Sequence, residues 1–145
     1  MKKLVFDIGV KEYKMPGGVL RFNPADPNLY ARFLEAVEKI RAVETEMVQK
    51  AKNISNDEKT GEEVVRIMHE ADRRIKTILD DVFVGNNFDR LLVGVNLLAV
   101  TAGGTRVVEN LMEALLPVME GGAKQCVDSE VAAAKLNREQ RRALQ

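Results

Sequence analysis

Along residues 3–23 apolar and polar positions alternate. Leu4, Phe6, Ile8 and Val10 are interleaved with Val5, Asp7, Gly9 and Lys11, the period-two pattern of a strand. Pro16, Gly17 and Gly18 supply a turn, because proline presets one φ and glycine tolerates positive φ. Val19, Leu20, Arg21 and Phe22 then form a return strand. The pattern predicts a β-hairpin over residues 3–23. A lone hairpin is marginal in water. It must therefore pack on the rest of the chain or pair an edge with another one.

From Asp26 the period becomes helical. Asp26 is a good N-cap and Pro27 suits the first helical position, where no N–H partner is needed. Phe33, Ile40, Met47 and Ile54 lie seven apart, with Tyr30, Val37 and Ala51 beside them and Leu34 and Val48 widening the stripe. This predicts a helix to about Asn53, roughly 40 Å long at 1.5 Å per residue. A polar loop follows, in which two capping boxes compete: Ser55 with Glu58, and Thr60 with Glu63. The second is favoured. Val64, Met68, Ala71, Ile75, Ile78 and Val82 are spaced 4-3-4-3-4, which predicts a second helix. A short loop between long helices makes them an antiparallel αα-hairpin. Gly85 is placed to end it in the left-handed conformation.

Residues 78–119 organise the rest. Asn86 or Asn87 can start a short helix over residues 88–93, which Gly94 interrupts. Residues 96–102 are too short an apolar run for periodicity to decide between helix and strand. Thr101 or Thr105 is placed to cap a last helix carrying Val108, Leu111, Met112, Leu115 and Met119 on one side. Pro117 is expected to bend or end that helix, and Gly121 and Gly122 to stop it. The alanine-rich remainder has few apolar residues, so it reads as a weak helix that frays or orders with a partner. The expected fold is α+β, mostly α. Its N-terminal hairpin (3–23) packs on a small bundle of three to four helices (27–120). Residues 1–122 form one domain and 123–145 a weakly helical or disordered tail.

Composition narrows the function. The 22 basic and 22 acidic residues cancel, so neither nucleic acid nor an anionic membrane is an expected partner. Neutrality also favours association, and a homo-oligomer is expected. A single cysteine excludes an internal disulfide. No signal-peptide h-region follows Lys2 and Lys3, and no apolar run approaches the about 18–20 residues of a membrane span. A reducing cytoplasm is the expected setting.

The candidate chemistry is thin. His69 is the only histidine and has no nucleophile signature near it, so it reads as a surface or structural residue. Cys126 lacks the partners of a zinc site. Asp80, Asp81 and Asp89 lack the spacing of a calcium loop and read as solvated charges. Gly103, Gly104, Thr105 and Arg106 lack the phosphate-loop pattern and read as a tight turn. No catalytic, cofactor or metal site is expected. What remains is apolar surface for a protein partner, placed on Phe88, Leu91, Leu92, Val95, Leu97, Leu98, Leu111 and Leu115.

Three stretches carry a family resemblance: LVFDIGVKEYKM with VLRFNPADPN, then ILDDVFVGNNFDRLLVGVNLLAV, then ENLMEALLPVMEGGAK. Their order and spacing resemble the tail assembly chaperones of siphophages and prophages of Gram-positive bacteria, over roughly residues 1–125. Phe83-Val84-Gly85 departs from the pattern, in which Phe directly precedes Gly. The resemblance implies a non-enzymatic protein that binds the tape measure protein, keeps it soluble and helps recruit tail tube subunits. It also implies action in the host cytoplasm and absence from the mature virion. The alternative is a helical adaptor that sequesters another protein, such as a phage inhibitor of a host defence system.

Overall fold

The structure is a computed structural model that describes residues 1–54 and 60–144. A two-stranded antiparallel hairpin, β1 (Lys11–Met15) and β2 (Gly18–Phe22), precedes four helices: α1 (Pro27–Lys52), α2 (Thr60–Val82), α3 (Phe88–Leu91) and α4 (Val107–Ala143). The fold is therefore α+β and mostly helical. The competing capping box at Ser55 and Glu58 lies outside the described residues.

The hairpin is shorter than the alternation predicts. Lys11 pairs with Phe22 and Met15 with Gly18 across the turn, while Leu4, Phe6, Ile8 and Val10 lie outside the sheet and are exposed. The ladder ends because β2 does: beyond the Lys11–Phe22 pair the partner chain turns through Asn23 and Pro24 into α1, and the sequence also slips phase there. The apolar positions are even-numbered up to Val10 and odd-numbered from Tyr13 to Met15, and side chains one residue apart face opposite sides of a strand. Gly9, at φ +75°, sits at the break. Residues 1–10 thus form an arm outside the sheet, exposed along its whole length.

That inner face seats the hairpin on the helices. Leu20 and Phe22 are buried. Tyr13, Phe22, Phe83 and Phe88 form a chain of rings with centroids 4.8, 4.9 and 5.5 Å apart. The turn packs backbone to backbone on α3: Gly17 N donates to the Leu91 carbonyl at 2.9 Å. A Cβ at Gly17 would stand 1.9 Å from the Arg90 carbonyl oxygen, so only glycine fits. The Asn86 side chain closes the outer side of β2, accepting from Arg21 N at 3.0 Å and donating to Arg21 O at 2.9 Å.

Helix α1 starts as its sequence predicts, with the Asp26 carboxylate accepting from Asn28 N at 3.0 Å. Its core stripe is Leu29, Phe33, Ala36, Ile40, Val43 and Met47, a 4-3-4-3-4 seam facing Ala71, Ile75, Leu79 and Val82 of α2. Leu34 and Val48 face outward. Arg32 ties the pair together by donating two hydrogen bonds to the Val82 carbonyl, at 3.2 and 3.1 Å. That contact satisfies a carbonyl which a helix C-terminus leaves without a partner.

Helix α4 differs most from expectation. It runs unbroken through Pro117, Gly121 and Gly122 to Ala143, about 55 Å at 1.5 Å per residue. Pro117 removes one i→i−4 bond to Glu113, and both residues lie on the exposed side, where water can take the freed carbonyl. Gly122 is buried against the turn ahead of α1; a Cβ there would stand 1.6 Å from the Pro24 carbonyl oxygen. It is a contact glycine, not a stop. Cys126 Sγ donates to the Ala25 carbonyl at 2.7 Å on the next turn of the helix. Neither Thr101 nor Thr105 caps α4. Its N-cap is Arg106, with no side-chain cap bond; the Val107 and Val108 amides donate to the Ala99 and Leu97 carbonyls at 3.0 and 2.7 Å.

Candidate functional site

The passage between α2 and α4 is held by polar side chains rising from α2. Asp72 and Lys76 are one helical turn apart and each is only 5% exposed. Lys76 Nζ lies 2.9 Å from Asp72 Oδ2 and 2.7 Å from Asp89 Oδ1. The second Asp72 oxygen accepts from Leu97 N at 2.7 Å. Asp80 accepts from Phe88 N at 2.8 Å, and Asn96 donates to the Met68 carbonyl at 3.3 Å. Asn87 caps α3 by accepting from Arg90 N at 3.1 Å. Among the described residues every buried side-chain polar atom has a partner.

These contacts surround a cleft of about 470 Å³ whose walls include His69, Arg73, Thr77 and Asp80. Its electrostatics are those of a closed network. Burial pulls the Lys76 ammonium down, but hydrogen bonds to Asp89 and Asp72 outweigh it and hold Lys76 above the ordinary lysine value. The Lys76 hydrogen bond holds Asp89 below the ordinary carboxylate range. Burial raises the Asp80 carboxyl, against the opposing pull of the Phe88 amide. Lys76 has both carboxylates committed to it, so it is a structural cation rather than a free nucleophile. Among the described residues no three His, Cys, Asp or Glu side chains gather to hold a metal ion. No described helix is long and apolar enough to cross a membrane.

The candidate aspartates therefore separate. Asp81 is exposed, Asp80 secures the start of α3, and Asp89 completes the charge network. His69 stands exposed at the rim of the cleft. Thr101 N donates to the Thr105 carbonyl at 2.8 Å and Gly104, at φ +84°, donates to Thr101 O at 2.9 Å, so residues 101–105 form a tight turn.

The eight candidate partner-binding residues also divide. Phe88, Leu91, Leu92, Leu97, Leu98 and Leu115 are buried in the chain's own core, Leu111 is half-buried and Val95 is exposed. The passage turns its leucines inward and its valines outward: Val84, Val93, Val95 and Val100 are all exposed. Val93 is held outward at a cost, at φ +55°, a left-handed conformation that β-branched residues rarely adopt. The bonds Leu92 N to Phe88 O, Val93 N to Arg90 O and Gly94 N to Asp89 O close the α3 C-terminus around it.

Sequence reading missed Asp72, Lys76 and Asn96, and took Asn86 only as one of two helix-start candidates rather than a partner of β2. The available signal was the i,i+4 spacing of Asp72 and Lys76 directly beside the core positions Ala71 and Ile75. Comparison of the chain with family models, with curated proteins and with solved structures gives no match in any of the three.

Proposed function

We propose that this chain is a tail assembly chaperone of a siphophage or prophage, a non-enzymatic protein that binds the tape measure protein. It keeps that long helical chain soluble in the host cytoplasm, helps recruit tail tube subunits, and leaves before the mature virion is complete. The observation that carries the reading is that Val84, Val93, Val95 and Val100 are all exposed on the same passage that resembles the family. These side chains are apolar, and the passage that carries them is tied to α2 by Asp72, Asp80 and Asn96. Such a surface suits the apolar stripe of an amphipathic helix.

The test is co-expression with the tape measure protein encoded by the same phage or prophage. The expected result is a soluble tape measure protein that co-purifies with this chain, with both effects reduced by the paired substitutions Val93→Asp and Val95→Asp. A tape measure protein that precipitates equally with and without this chain overturns the proposal.

A further inference from the structure

Two exposed apolar elements spring from one corner of the molecule, the turn at residues 23–26. The first is the arm over residues 1–10. Its root is fixed: Asn23 Nδ2 donates to the Ile8 carbonyl at 2.9 Å, and Asp7 Oδ1 accepts from Gly9 N at 2.7 Å. Beyond that root Leu4, Phe6 and Ile8 are 85, 73 and 62% exposed. The second is the far half of α4. It is seated on the same corner by Gly122 against Pro24 and by Cys126 on Ala25. On α4 Leu116, Val127, Val131 and Ala134, spaced 11, 4 and 3 residues, fall on one face and are all exposed. The arm does not cover its own helix: Val127 and Val131 remain 60 and 62% exposed.

We propose that these two elements are the two halves of a self-association surface, in which the arm of one copy lies along α4 of a second copy and receives that copy's arm in return. Length supports the match. From Leu4 to Val10 an extended arm spans about 20 Å, and from Leu116 to Val131 the helix spans about 22 Å. Charge supports it as well. The arm carries Lys2 and Lys3 against Asp7, whereas residues 113–131 of α4 carry Glu113, Glu120, Asp128 and Glu130 against Lys124. A basic apolar arm thus meets the acidic 113–131 stretch of α4, and each copy supplies one of each. That is the requirement of a two-fold interface made from one chain. The assignment rests on this chain's own surface and stands independently of the function proposed above.

The experiment has two arms. Light scattering at tens of micromolar reads the mass of the full chain and of the single variants Phe6→Asp and Val131→Asp, with circular dichroism as the control for folding. The expected result is twice the monomer mass for the full chain, a return to monomer for each variant, and at least a tenfold weaker association in high salt. In the second arm, differently tagged Phe6→Cys and Val131→Cys chains, each also carrying Cys126→Ser, are mixed and oxidised. A disulfide between the two tags is expected in excess of either homodimer. A monomeric full chain, a dimer indifferent to both aspartates, or the absence of the mixed disulfide each overturns the proposal.

Discussion

Replacing Gly122 by alanine puts one methyl group 1.6 Å from the Pro24 carbonyl oxygen and 2.3 Å from the Pro24 carbonyl carbon. Both obstacles are backbone, so no rotamer change relieves them. Ordinary contact begins at 3.4 Å, and the helix and the turn must part by about 1.8 Å. That displacement loosens the fully buried Met119 and stretches the 2.7 Å bond from Cys126 to Ala25. Overpacking of this kind costs about 1–3 kcal/mol, and a clash between main chains belongs at the upper end. Alanine returns about 1 kcal/mol of helix propensity, leaving a net loss of about 2 kcal/mol. Gly121 is the internal control. It is the adjacent residue of the same helix, yet a Cβ there meets nothing within 4 Å. Gly121→Ala should therefore gain about 0.5–1 kcal/mol. Equilibrium unfolding in urea reads both as shifts of the midpoint at constant slope. Two neighbouring Gly→Ala changes are expected to move it in opposite directions. If Gly122→Ala stabilises as much as Gly121→Ala, α4 does not rest on Pro24, and the account of its seating is refuted.

Other outcomes follow from the same physics. Gly17→Ala should destabilise by about 1–3 kcal/mol and detach the hairpin turn from α3, seen as faster hydrogen exchange at the Gly17 amide, which now donates to Leu91. Lys76→Met leaves the Asp72 carboxylate buried without its cation, and urea unfolding should show a loss of about 3–5 kcal/mol. Asp89 has a lowered folded pKa, so its contribution is present above the ordinary aspartate value and is lost as pH falls through the folded one. Acid unfolding curves of Asp89→Asn should lack that loss. Val93→Gly releases a valine from φ +55° and should stabilise by about 1 kcal/mol in thermal unfolding.

The helical framework was legible because it is written in local periodicity. Asp26 and Pro27 mark the start of α1, the 4-3-4-3-4 spacing marks α2, and Asn87 marks α3, all through groups within a few residues of one another. Tertiary structure decided whatever depends on distant backbone. Gly122 looks like a helix stop until Pro24 is placed beside it, and then its missing side chain is the condition for contact. Leu91, Leu92, Leu97 and Leu98 look like surface for a partner until Asp72 and Asn96 bind the passage to α2 and turn them inward. The arm looks like the first strand of the hairpin until the register is known, because alternation shows that a segment is extended but not what it pairs with. A one-dimensional pattern fixes which faces are apolar. Which of those faces finds cover within the chain depends on long-range contacts that leave no local trace.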